Sequence, residues 1–306
     1  MNILVTGGAG FIGSHVADAY VNAGHHVIIV DDLSTGSLKN VHSKAKFVQL
    51  DIRSNELHTI FERDRIDVVN HHAAQMDVRR SVEDPMFDAS VNVLGSVNLL
   101  ENCRKSGVKK IIFASTGGAI YGEQDHFPAD EQHPVRPLSP YGITKLATEK
   151  YLYYYDSVFG LQYVSLRYAN VYGPRQNPHG EAGVVAIFTS KMLAGKQPII
   201  NGDGKQTRDY VYVSDVVQAN LAALSFQGSD FFNIGTGIET NVIQLFEALR
   251  GLTGAKCSEQ HGLPKAGEQS RSVLDYSSAK KVLGWRPKFS LHEGLTQTVE
   301  FFRKNS

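Results

Sequence analysis

A glycine turn near the start of the chain limits the fold more than any other stretch. An apolar pentad, Asn2–Thr6, runs into Gly7-Gly8-Ala9-Gly10-Phe11-Ile12-Gly13, and the residues from Gly10 to Ala23 read as a helix. Gly8, Gly10 and Gly13 satisfy a GxGxxG spacing, while Gly7, Gly10 and Gly13 satisfy GxxGxxG. Each interval has a physical task. One glycine permits the tight strand-to-helix turn, one lets the backbone approach a bound group, and one lets helix and strand pack closely. A glycine-rich turn with no ligand is the alternative, and only the surrounding pattern weighs against it.

That pattern is an alternation of strand and helix. Apolar runs at Asn2–Thr6, His26–Val30, Phe47–Leu50, Asp67–Asn70, Lys110–Ser115 and Gln162–Arg167 have strand length. They are short and continuous, as central parallel strands buried on both faces are. Helical stretches lie between them, among them Pro85–Ser106 and Pro140–Phe159. The expected architecture is α/β, a doubly wound parallel sheet of the Rossmann kind, with a smaller C-terminal α/β substrate-binding region. Residues 1–170 form the expected nucleotide domain and 171–306 the substrate region, interleaved with it. Within the latter, Asn170–Gly183 reads as a loop, Val184–Ala194 as a helix and Tyr210–Val213 as a strand.

In such a sheet the turn holds a pyrophosphate at the positive end of the first helix, with Phe11 and Ile12 opening that helix. Asp31 closes the second strand at the distance expected of a ribose-binding acid. A carboxylate there accepts from ribose hydroxyls and repels a 2′-phosphate, so NAD is favoured over NADP. Asp32 reads as a solvated turn residue. Asp51-Ile52, after the third strand, either flanks the adenine or caps a helix.

Lys plus Arg and Asp plus Glu both number 31, so no net basic field draws nucleic acid or anionic membrane. Two distant cysteines, Cys103 and Cys257, form no disulfide framework and fit a reducing cytoplasm. No run approaches a membrane span, and the N-terminus has no basic leader. His25-His26 and His71-His72 lack carboxylates or cysteines at ligand spacing, so they read as structural and no metal is expected.

Tyr141 and Lys145 stand four residues apart on the stretch begun by Ser139-Pro140, hence on one helical face. The ammonium, joined by the positive nicotinamide ring, is expected to favour the phenolate and make Tyr141 a general base for an alcohol being oxidised. Alone, YxxxK is common. Here it follows a nucleotide fold and a Ser115-Thr116-Gly117-Gly118 segment closing a strand.

Together these segments resemble the extended short-chain dehydrogenase/reductases, and within them the nucleotide-sugar epimerases of the UDP-glucose 4-epimerase type. The likeness rests on TGGAGFIGS at the start, HHAAQ at 71–75, VNVLGSVNLLE at 91–101, STGGAIYG at 115–122 and SPYGITK at 139–145. RYANVYGPRQ at 167–176, GDGKQTRDYVYVSD at 202–215 and GEQSRSVLD at 267–275 follow in the family's order. The resemblance implies that Tyr141 takes the sugar 4-hydroxyl proton while Lys145 tunes it and holds the nicotinamide ribose. It puts Thr116 on the same oxygen, with Ser115 as the fallback. Ala73 and Asn92 join the cofactor residues, although Asn92 reads equally as a satisfied buried amide. Asn170 and Arg208 match contacts to the nucleotide diphosphate, and Lys265 stands where relatives carry arginine, ahead of Glu268. Ser272 stands where relatives that exclude an N-acetyl group often have a bulky aromatic.

The activity this resemblance implies is that of an NAD-dependent 4-epimerase of UDP-hexoses, interconverting UDP-glucose and UDP-galactose and extending to N-acetylated substrates. UDP-glucuronate epimerisation, another NAD-linked sugar oxidoreduction and a non-enzymatic NAD sensor are the other readings. Dehydratases of this superfamily carry an acid/base pair just after the Ser/Thr, where this chain has Gly117-Gly118. The resemblance also implies a homodimer through the Pro85–Ser106 and Pro140–Phe159 helices. Tyr151, Tyr153, Tyr154 and Tyr155 then read as packing or subunit contact rather than as a surface for stacking bases.

Overall fold

The computed structural model describes residues 1–178, 183–264 and 269–305. Six strands build the sheet expected of the first half: β1 (Asn2–Thr6), β2 (His26–Asp31), β3 (Lys46–Gln49), β4 (Val68–His71), β5 (Lys110–Thr116) and β6 (Gln162–Tyr168). Four more lie further on, β7 (Asn170–Tyr172), β8 (Ile200–Asn201), β9 (Thr207–Tyr212) and β10 (Asp230–Ile234). The chain ends its strands with β11 (Glu239–Asn241), β12 (His261–Gly262) and β13 (Arg271–Ser272). The main sheet is parallel throughout, in the order β3-β2-β1-β4-β5-β6-β10. Strand order reverses between β1 and β4, and ligands of open α/β sheets bind at such a switch point.

Alternation along the strands feeds two cores. Ile3, Val5, Val27 and Ile29 face one side, where they meet Val16, Ala17 and Tyr20 of α1 (Phe11–Asn22) and Val216, Ala219 and Ala223 further on. Leu4, Ile28 and Val30 face the other side, against Leu57, Ile60 and Phe61 of α2 (Leu57–Asp64). Burial on both faces explains why these strands read as continuous apolar runs.

The 85–106 stretch is not one regular helix. After α3 (Val78–Glu83), it comprises α4 (Pro85–Ala89), a π-type turn over Ser90–Leu94 and α5 (Gly95–Ser106). A short α6 (Gly117–Ile120) leaves the end of β5, and α7 (Pro140–Phe159) follows as one continuous helix. Ser139 caps α7 by accepting from Gly142 N, and Pro140 pre-sets its first turn.

The C-terminal third has its own core. It joins Val185, Phe188 and Met192 of α8 (Val184–Leu193) to Tyr172, Tyr210 and Tyr212. Beyond α9 (Val213–Ser225), Leu245, Phe246 and Leu249 of α10 (Val242–Thr253) and Leu295 and Val299 of α11 (Leu291–Asn305) complete it. Residues 170–172 are strand rather than loop, because β7 pairs in parallel with β9 and buries Tyr172. The chain also returns to the main sheet, since β10 pairs with β6 and α9 packs on α1. Among the described residues no helix is long and apolar enough to cross a membrane.

Candidate active site

The glycine turn is a cradle that side chains would fill. Gly7 lies at φ +67°, and a Cβ there would stand 2.6 Å from Ala73 N. A Cβ on Gly13 would meet Gly7 O at 2.3 Å. Gly10 precedes α1 without any side-chain cap, so the first-turn N–H groups of Phe11 and Ile12 receive no side-chain acceptor. These observations fit a pyrophosphate lying on backbone.

Asp31 closes the cradle from β2. Its Oδ2 accepts from Ala9 N at 2.9 Å and its Oδ1 from Leu33 N at 2.8 Å. Burial raises its pKa against those bonds. The Gly10 N–H acts on it in the same sense, so the carboxylate gathers the backbone of the turn around itself. Asp32 instead folds back onto Ser34. Asp51 accepts from the backbone and guanidinium of Arg53, which draws its pKa down, while Ile52 is buried under Gly95. Ala73 N donates to Thr6 Oγ1 at 3.3 Å. The Asn92 amide is spent inside the protein, accepting from Gln75 N and donating to Gln75 O, Asp88 and Thr144. It therefore fixes the loop after β4 from within the protein.

A cleft of about 1080 Å³ opens at the end of β5, and Thr116, Tyr141, Asn170 and Arg208 all line it. Thr116 comes from the end of β5, Tyr141 from α7, Asn170 from β7 and Arg208 from β9. A Cβ on Gly118 would point between Asn170 Oδ1 (3.7 Å) and Thr116 Oγ1 (3.9 Å), so this position faces the cleft and brings it no acid. Gly117 is bare for another reason: a Cβ would meet Leu274 at 2.5 Å.

Lys145 Nζ donates to Ala114 O at 2.8 Å and stands 4.7 Å from the centre of the Phe113 ring and 5.8 Å from that of Tyr141. Burial lowers its pKa to about 8, against the opposing pull of Asp88 and Glu149. In the chain by itself burial first, then Asp88, push the Tyr141 pKa up, so the charge that favours the phenolate is the one a bound nicotinamide ring would add.

Not every sequence candidate reaches the cleft. Ser115 is 3% exposed and donates to Glu149 Oε1 at 2.7 Å, alongside Ser165 and Arg167. Its hydroxyl belongs to a buried network behind the sheet, which leaves Thr116 as the one facing the site. Ser272 is buried on β13 in register with Arg208 and is outside the cleft lining. Lys265 and Glu268 lie outside the described residues. Conversely, Val184, Ile187 and Lys191 of α8 line the cleft although no sequence motif marks them. Their three- and four-residue spacing was the available signal.

His71 is fixed between Thr6 Oγ1 (2.7 Å) and Ser96 Oγ (2.9 Å), and burial holds it well below its ordinary pKa. Burial and Lys145 lower His72 to about 3. No group of three or more metal-ligating side chains exists among the described residues.

Residues 3–235 match the model of the NAD dependent epimerase/dehydratase family. The chain belongs to that family. It is an enzyme with NAD as cofactor. A UDP-glucose 4-epimerase of Mycolicibacterium smegmatis is 47% identical over 312 residues, covering 100% of both chains. The Thermotoga maritima UDP-glucose 4-epimerase structure with UDP-glucose superposes at TM-score 0.98 with 53% identity, over 100% of this chain and 99% of that one. The Thermus thermophilus UDP-glucose 4-epimerase complex with NAD gives 0.94 and 45%, over 99% of each chain.

Proposed function

We propose that this protein is a UDP-hexose 4-epimerase interconverting UDP-glucose and UDP-galactose. One observation carries the reading. A single cleft has Thr116, Tyr141 and a bare Gly118 together, and the cations Lys191 and Arg208 also line it. The first group suits proton transfer at a sugar hydroxyl, and the cations suit a diphosphate.

NAD, when bound, supplies a reversible hydride acceptor and, in its oxidised form, a positive charge. Tyr141 takes the proton from the C4 hydroxyl, and Thr116 hydrogen-bonds the same oxygen so that it stays in line. Lys145, anchored on Ala114 O, keeps a cation behind the phenol. Arg208 and Asn170 hold the diphosphate while the 4-keto sugar turns over about that tether. Tyr141 then returns the proton. Dehydration would need a further acid or base beside Thr116, and neither Gly117 nor Gly118 provides one.

Anaerobic incubation of UDP-glucose with catalytic enzyme tests the reading. A mixture of C4 epimers with no stoichiometric NADH is expected; stoichiometric NADH or a dehydrated product would overturn it. Ser272 supports extension to N-acetylated hexoses only indirectly, through its contact with the Arg208 strand. If Ser272→Tyr leaves the ratio of UDP-GlcNAc to UDP-glucose turnover unchanged, that extension fails. The exposed Tyr153, Tyr154, Val158 and Phe159 on α7 support a homodimer face, to be checked by solution mass.

A further inference from the structure

The helix that carries Tyr141 is tied to the sheet by a buried ion pair, Glu149 of α7 with Arg167 of β6, neither of which lines the cleft. Arg167 donates through Nη2 to Oε2 at 2.7 Å and through Nε to Oε1 at 3.0 Å. Ser115 Oγ (2.7 Å) and Ser165 Oγ (2.8 Å) donate to the same Oε1. The remaining nitrogen of Arg167, Nη1, donates to the Tyr121 hydroxyl at 3.0 Å. That hydroxyl in turn donates to Asn233 Oδ1 on β10 at 2.7 Å. Well-packed apolar side chains serve stability as well as a buried ion pair does, so the pair is best read by what it holds.

It holds one short stretch at both ends. Ser115 immediately precedes Thr116, and Tyr121 immediately follows α6, so the residues from Thr116 to Ile120 run between an anchor on Glu149 and an anchor on Arg167. That stretch brings Thr116 and Gly118 to the cleft. Glu149 itself stands on the helix of Tyr141, where Lys145, one turn before it, grips the preceding strand residue through Ala114 O. We propose that Glu149 and Arg167 are positioning residues, which act through Ser115 and Tyr121 to set Thr116 against Tyr141. Ser165 is the internal contrast. It gives the same oxygen a like hydrogen bond, but from β6, where it is in register with Phe113 and anchors no part of the held stretch.

The inference rests on the epimerase reading, with Thr116 and Tyr141 on one sugar oxygen, and its test separates the two. Initial rates of the NAD-loaded enzyme are measured against UDP-glucose, with bound NAD and the urea midpoint recorded for each variant. Ser115→Ala and Tyr121→Phe should each lower kcat by about tenfold and leave KM and NAD content within about twofold of wild type, since misplacing a reacting group costs rate rather than binding. Ser165→Ala removes the matched hydrogen bond and should lose similar stability, yet keep kcat within about twofold. In a Thr116→Val background, Ser115→Ala should cost no further kcat, because both changes act through one group. Equal kcat losses from Ser115→Ala and Ser165→Ala would reduce the network to a stabilising one and overturn the proposal. So would an undiminished kcat in Ser115→Ala, or full additivity with Thr116→Val. Should Tyr121→Phe not fold, the two serines decide alone. A wild type that releases stoichiometric NADH instead of C4 epimers removes the epimerase reading, and the contrast between the serines is then read in the rate of NADH formation.

Discussion

The glycine cradle and the cleft are built on different principles. In the cradle the backbone is the working surface, and the side chains matter chiefly by being absent, as at Gly7 and Gly13. In the cleft the backbone is scaffold, and Thr116, Tyr141, Asn170 and Arg208 arrive from four separate elements. The cradle is therefore local, complete within about thirty residues, and intolerant of any added atom. The cleft is long-range, and its failure modes are chemical rather than steric. Substitutions in the two should separate cofactor retention from turnover.

The sharpest separation comes from Tyr141→Phe. It removes the proton-transfer group without touching the cradle, so kcat should fall by about 10³-fold while NAD content after purification is unchanged. Lost NAD together with lost turnover would mean that the two regions are not independent. Gly13→Ala attacks from the other side. Its Cβ would land 2.3 Å from Gly7 O, which requires the turn to open. NAD affinity, measured by fluorescence titration, should drop by about 10²-fold, corresponding to roughly 3 kcal/mol. With saturating NAD the residual turnover should recover towards wild type, because the cleft is intact. Arg208→Gln is milder. A lost charge-assisted contact raises KM for the UDP-sugar by about tenfold, with kcat and NAD content little changed.

The same contrast explains what was readable from the sequence alone. The cradle was legible because glycine spacing, the preceding strand and Asp31 are all local, and all serve one turn. The strands of the main sheet were legible for a related reason: burial on both faces leaves uninterrupted apolar runs. Residues 170–172 misread as loop because their partner β9 lies far along the chain, and nothing local announces that pairing. Ser115 and Thr116 are adjacent and chemically alike. Only the pleat of β5 decides which faces the cleft, and Glu149 claims the other. Tyr141 was read from Lys145, one helical turn further on, whereas its pKa answers to burial and to Asp88, more than fifty residues earlier. Proximity in sequence gave the pair, but it could not give the environment.

The smallest expected effect concerns stability and isolates Lys145. Burial lowers this lysine from its ordinary value to about 8 in the folded chain. Between that value and about 10.5 the unfolded chain therefore holds a proton that the folded chain has released. Stability rises with pH wherever the unfolded state binds more protons, so the penalty for burying Lys145 is fully present below pH 8 and shrinks above it. Other groups titrate in the same range, among them Cys103, whose thiol burial pushes up. Comparison with Lys145→Met cancels them, since both proteins share every group but one. The stability of wild type minus variant, from urea melts of the cofactor-free proteins, should turn in favour of wild type as pH rises from 7 to 10. Over the same interval wild-type turnover should fall as the cation behind Tyr141 is lost. A difference that stays flat with pH would place the lysine's proton in water rather than against Ala114, and would remove it from the electrostatics of the cleft.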